Sequence, residues 1–133
     1  MPGIKSALEA PTRRLLAREA GRGNADRPGL GAGRACERLS LHFGNLVGSV
    51  GMQALFDRSL ALVQVDYPWL APAGGASTES RCTRLQARLD AQDPAASDEA
   101  AVELVTTLLA LVGRFIGDEL VTKILADLYP DLS

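Results

Sequence analysis

The chain has 133 residues, a formal net charge of −2 and an apolar fraction of 47%. This length predicts one domain with a buried core, and abundant Leu and Ala with only 5% aromatic residues favour helices. No apolar run approaches the roughly 20 residues of a membrane span, and no signal-peptide pattern is visible. We therefore expect a cytoplasmic protein without a transmembrane segment.

The charged residues are unevenly distributed. Residues 1–34 carry seven basic and three acidic side chains, and the remaining residues carry seven basic and thirteen acidic ones. A basic arm on an acidic body could touch nucleic acid or a membrane surface, lie against its own body, or keep a tail soluble. Because an acidic body opposes phosphate binding, no nucleic-acid partner is expected.

The first part of the chain predicts a short helix followed by a linker. An amphipathic pattern that Pro11 interrupts predicts a helix over 11–20. Residues 21–33, which we call the glycine-rich segment, contain five glycines and one proline, a composition typical of mobile linkers. We therefore predict a flexible basic N-terminal arm over 1–33 and a helical domain over 34–133.

The next apolar pattern is strongly helical. A stripe with spacings of three and four residues runs from Cys36 to Val63. Its first half consists of Cys36, Leu39, Phe43, Leu46, Val47 and Val50. Tyr67-Pro68 ends the run, because the residue before a proline resists helical conformation. A short helix over 81–91 has few apolar positions and is predicted to be peripheral.

The most apolar segment follows, from Ser97, a predicted helix N-cap, to Leu128. Two adjacent apolar stripes cover an arc so wide that this helix must be central to a core or to an oligomer interface. A straight helix over 97–128 would be roughly 48 Å long, which exceeds a domain diameter of roughly 36 Å. We therefore expect it to break near Gly113–Gly117, or two chains to share its length.

The two long apolar segments also resemble each other. Leu46–Val63 matches Leu111–Leu128 without a gap, which places Gly48 opposite Gly113, and each segment ends near a Tyr-Pro pair. Glycine pairs spaced four residues apart in both segments allow either a bend or break, or a close helix crossing. The pattern favours two bent or broken helical arms packed together, with Gly48 and Gly113 as the bending points.

Few residues could carry chemistry. His42 is the only histidine, and Cys36 and Cys82 are the only cysteines, too few for a disulfide framework or a zinc site. Arg81 and Arg84 could favour a Cys82 thiolate, but buried, reduced thiols are the simpler interpretation. Phosphate-binding loops and nucleophile elbows are absent from the sequence. It therefore predicts no enzyme, and no catalytic, cofactor-binding or metal-binding residue.

Several segments of packing residues resemble small bacterial all-helical proteins whose function is not established. These segments are Ala35–Leu39, the stretch from Leu46 to Leu60, Tyr67–Leu70, and Phe115–Leu120 with Tyr129-Pro130. The resemblance covers about half of the chain. It implies a helical domain from about residue 34 onward and carries no catalytic residue.

Together these patterns predict an all-α bundle of four or five helices with a flexible arm. The expected function is a non-catalytic interaction module that self-associates or binds a protein partner. The predicted interface combines surplus apolar positions with the single tryptophan: Leu104, Leu108, Leu111, Phe115 and Trp69. Trp69 could instead close one end of the bundle. The alternative function is a sensory domain that holds a small apolar molecule between the two repeated segments.

Overall fold

The structure, a computed structural model, describes the backbone of residues 3–70 and 78–130 and the side chains of 7–70 and 81–130. These residues form six α-helices, so the predicted all-α class is confirmed, whereas the predicted count of four or five is too low. The helices are α1 Gly3–Ala20, α2 Ala32–Val47, α3 Ser49–Val63, α4 Thr78–Asp90, α5 Pro94–Ile116 and α6 Asp118–Leu128. A 3₁₀ turn, Pro28–Gly31, joins α1 to α2.

Helix α5 is the centre of the fold. It contacts each of the other five helices and the 3₁₀ turn, and its residues are buried almost continuously from Ala100 to Val112. It begins before the predicted Ser97, because the Asp93 side chain accepts hydrogen bonds from the backbone nitrogens of Ala95 and Ala96 at 3.2 and 3.3 Å. Asp93 is therefore the N-cap.

The predicted flexible arm is instead packed into the core. Helix α1 lies against α5 and the 3₁₀ turn, and Leu15 and Leu16 are fully buried. The helix also continues through Pro11. Leu8, which precedes Pro11 by about one turn, is buried as well, and burial offsets the hydrogen bond that a proline cannot donate. Residues 7–33 are therefore part of the helical domain.

Side chains of α4 and α5 hold the glycine-rich segment in place. Asp98 accepts hydrogen bonds from the backbone nitrogen of Gly29 at 2.9 Å and from Arg27 Nε at 3.0 Å. Gln86 accepts from the backbone nitrogen of Gly33 at 2.8 Å and donates to the Gly29 carbonyl at 3.0 Å. These bonds satisfy backbone groups that would otherwise be costly to bury.

Close packing favours glycine at two positions in this segment, Gly29 and Gly31. A Cβ atom at Gly29 would lie 2.6 Å from Ser97 Oγ. A Cβ atom at Gly31 would clash with the carbonyl oxygen of Leu16 and the backbone nitrogen of Ala20. At Gly29 and Gly31 glycine therefore indicates close packing and not mobility, and at Gly31 it lets backbone pack on backbone.

Both long apolar segments break at a glycine with positive φ. Gly48 separates α2 from α3 with φ 83° and ψ 154°, and Gly117 separates α5 from α6 with φ 94° and ψ 145°. Residues other than glycine rarely adopt this conformation. Each of these glycines donates its backbone N–H to the carbonyl of the glycine four residues earlier, Gly44 or Gly113, at 2.8 Å. The second break is therefore at Gly117 and not at Gly113.

This result shifts the correspondence between the two segments by four residues. With Gly48 opposite Gly117, buried positions coincide on both sides of the break. The pairs are Leu39 with Leu108, Phe43 with Val112, Met52 with Val121, and Phe56 with Leu125. We call α2–Gly48–α3 and α5–Gly117–α6 the helix–glycine–helix units, and their glycine junctions the elbows.

Replacing Gly31 by alanine is expected to lower the free energy of unfolding by about 2–3 kcal/mol, because the new methyl group must displace the α1 backbone. Gly44→Ala is the matched control. A Cβ atom at this helical position meets nothing within 4 Å, so stability should rise by about 0.5–1 kcal/mol. Urea unfolding followed by far-UV circular dichroism measures both. Unchanged stability of Gly31→Ala would contradict the close packing.

Candidate functional site

The predicted interface residues do not share one surface. Leu104 and Leu108 are fully buried, and Leu111 is 7% exposed, because the chain's own helices cover this part of α5. Phe115 is 72% exposed. Trp69 is partly buried against the core and meets Tyr67 edge-on, with ring centroids 6.0 Å apart. Of the five, only Phe115 presents most of its side chain to solvent.

Large apolar side chains are exposed at both elbows. Phe115 and Leu46 occupy the same position in their units, two residues before the breaking glycine, and Leu46 is 51% exposed. Val50, two residues after Gly48, is 80% exposed. Exposed apolar side chains that recur at equivalent positions suggest surfaces that contact another molecule.

The two cysteines meet in the core between α2 and α4. Both thiols are free and fully buried. A hydrogen bond with the Cys82 thiol, together with burial, raises the pKa of the Cys36 thiol well above its usual range. The neutral thiol is therefore favoured, which opposes nucleophilic chemistry. Arg81, which could favour a Cys82 thiolate, is paired with Asp57, with Arg81 Nε 2.9 Å from Asp57 Oδ1.

The titratable groups considered from the sequence do not converge in one cleft. His42 lies on the exposed side of α2, in an open polar groove with Glu37, Arg38 and Asn45. Cys82 lies in the core. Within the described part of the chain, no group of three or more His, Cys, Asp or Glu side chains is arranged to hold a metal ion. None of the helices described is both long and apolar enough to cross a membrane.

A buried acidic residue, Glu19, joins α1 to α2 and to the end of α6. Its Oε2 atom accepts a 2.6 Å hydrogen bond from the Tyr129 hydroxyl and lies 2.8 Å from Arg38 Nε. The Arg38 guanidinium lies 5.5 Å from the centre of the Tyr129 ring, a cation–π distance. Burial, followed by the hydrogen bond to Glu19 and its negative charge, raises the pKa of Tyr129 far above its usual value.

A furrow separates α1 from α6 and consists of two adjoining parts. The first, which we call the apolar groove, has a volume of about 280 Å³. Its walls are mainly Leu8, Pro11 and Leu15 from α1, facing Val121, Leu125 and Ala126 from α6. The second, which we call the arginine pocket, has a volume of about 250 Å³ and is lined by Arg18, Arg34 and Arg38. Glu19, the ion-pair partner of Arg38, also lines it, so the three arginines outnumber one carboxylate. Tyr129 lines both parts.

The sequence interpretation missed Glu19 and the furrow, although one signal for Glu19 is present. Leu8, Leu15 and Glu19 are separated by seven and four residues, so Glu19 continues the apolar face of α1. An acidic residue on such a face needs a buried partner. The partners Arg38 and Tyr129 could not be identified, because they lie 19 and 110 residues further along the chain.

Comparison with known proteins gives no match to a family model, to a curated protein or to a solved structure.

Tyr129→Phe is expected to lower the free energy of unfolding by about 1–2 kcal/mol at pH 7, because it removes a buried hydrogen bond to a charged group. The pKa of Tyr129 is raised on folding, so the contribution is complete below the usual tyrosine pKa of about 10. Above that pH the unfolded chain releases the proton and the folded chain keeps it. The free energy of unfolding of the wild type should therefore fall as the pH rises above about 10, by up to about 1.4 kcal/mol per pH unit.

Urea unfolding between pH 7 and pH 11 measures the difference between wild type and Tyr129→Phe at each pH. This difference should shrink above about pH 10. Tyr67, whose pKa burial also raises, is present in both proteins, so its effect cancels. A difference that stays constant to the highest pH would contradict the assignment.

Proposed function

We propose that this chain is a non-catalytic helical interaction module that self-associates through its elbows. The observation that carries the proposal is the exposure of Phe115 and Leu46, at 72% and 51%, at equivalent positions of the two units. Exposed aromatic and aliphatic side chains that pack against a partner supply much of the energy of protein interfaces.

A second copy of the chain is the partner that best fits this surface. A two-fold symmetric dimer buries the same patch from both copies, so each apolar side chain contributes twice. The formal net charge of −2 produces little repulsion between copies. The non-catalytic part of the proposal is supported by the buried thiols and by the separation of His42 from Cys82.

Phe115→Ser is expected to weaken self-association at least tenfold, which corresponds to about 1.4 kcal/mol. Because Phe115 is mostly exposed, the folded monomer should keep its stability within about 0.5 kcal/mol. Sedimentation velocity over a range of protein concentrations measures the association, and thermal unfolding checks the fold.

Val65→Ser is the matched control. Val65 is 78% exposed but lies in the turn after α3, at the end of that helix remote from Gly48. The nearby Tyr67 is within electrostatic reach of Glu99 and Glu103, in the first half of α5 and not at its end near Gly117. This substitution should therefore leave the association constant unchanged. A wild-type protein that remains monomeric at every concentration would overturn self-association. Equal weakening by the two substitutions would overturn the assignment to the elbows.

A further inference from the structure

We propose that the furrow between α1 and α6 binds a single-chain fatty carboxylate, with its alkyl chain in the apolar groove and its carboxylate at the arginine end. This inference goes beyond the proposed self-association, because neither Phe115 nor Leu46 lines the apolar groove or the arginine pocket. The site also differs from that of the sensory domain considered in the sequence analysis, because the furrow does not lie between the two helix–glycine–helix units.

The shape of the apolar groove suits one alkyl chain. Helix α1 rises about 10 Å between Leu8 and Leu15, so the apolar walls extend along the groove instead of enclosing a compact cavity. The volume of about 280 Å³ lies just below the range for small-molecule sites, roughly 300–1,000 Å³. A single chain fits such a volume better than a lipid with two chains.

The furrow has a defined polarity. The apolar groove is lined by the earlier residues of α1 and α6, and the arginine pocket by residues that follow in both helices or just after them. The two helices therefore run in the same direction along the furrow. Asp118, the first residue of α6, lies at the end of the groove remote from the arginine pocket. An anionic headgroup is repelled at that end and attracted at the other.

The Arg14 side chain of α1 is positioned to meet the headgroup. Arg14 lines the apolar groove, and its guanidinium forms no ion pair or hydrogen bond with any residue that the structure describes. Arg18 follows one turn later, on the same face of α1, and lines the arginine pocket. A guanidinium group can donate two parallel hydrogen bonds to a carboxylate. This charge complementarity selects an anionic amphiphile over a neutral or cationic one.

Isothermal titration calorimetry with decanoate, below the concentration at which it forms micelles, tests the proposal on the full chain. Decanoate should bind more tightly than octanoate by about fourfold per methylene, the factor that corresponds to about 0.8 kcal/mol. Decanol should bind about tenfold more weakly than decanoate, and decyltrimethylammonium should bind more weakly still.

Two substitutions locate the site, and a third is the control. Ala126 is an exposed groove residue, so Ala126→Leu should fill the groove and weaken both decanoate and decanol at least tenfold. Arg14→Gln should weaken decanoate about tenfold and leave decanol unchanged. Lys123→Leu is the matched control, because Lys123 is exposed on α6 but does not line the groove. It should leave both affinities unchanged. Circular dichroism confirms that each variant folds.

Repeating the titration with Phe115→Ser separates this proposal from self-association, since decanoate affinity should not change when the protein is monomeric. The proposal is overturned if wild-type protein does not bind decanoate. It is also overturned if decyltrimethylammonium binds as tightly as decanoate, or if Ala126→Leu binds decanoate as tightly as Lys123→Leu does.

Discussion

The close approach of the glycine-rich segment to its neighbours is the constraint on which the rest of the structure depends. At Gly29 and Gly31 the backbone lies so close to α5 and α1 that a methyl group cannot fit. Asp98, which accepts a hydrogen bond from the Gly29 nitrogen, and Gln86, which donates one to the Gly29 carbonyl, then hold this backbone in place. Because the segment follows directly after α1, fixing it also fixes the end of α1 against the core.

The network around Glu19 extends this constraint to the other end of the chain. Glu19 is near the end of α1, and its contacts with Arg38 and Tyr129 connect that end to α2 and to the residue after α6. A buried carboxylate without partners would be costly, so the three side chains stabilise one arrangement of the helices. The furrow between α1 and α6 meets this network at Tyr129.

The sequence is sufficient to predict the all-α fold class and most of the buried apolar stripes. It does not predict that the glycine-rich segment is closely packed or that the chain's own helices cover part of the expected interface. A glycine-rich sequence predicts flexibility because only local residues are considered. The contacts that require glycine at Gly29 and Gly31 come from other helices: Gly29 lies against the start of α5, and Gly31 lies against the end of α1. The surplus of apolar positions on α5 predicts an interface at Leu104 and Leu108, because the sequence pattern does not show which helices cover them. In the structure α1 and α3 pack against α5, and both leucines are buried.

The elbows explain why Phe115 differs from the other predicted interface residues. Each apolar stripe predicts burial along a continuous helix, but the helix axis changes direction at Gly48 and at Gly117. Val47 and Ile116, next to each glycine, still pack against the core, but other positions within one turn of the glycine face away from it. Leu46 and Phe115 are such positions, and both remain large and apolar although the monomer leaves them exposed. Packing within the monomer accounts for Phe43 and Val112, which are fully buried, but it gives no reason for apolar side chains two residues before each breaking glycine. The proposed self-association would supply that reason at both elbows.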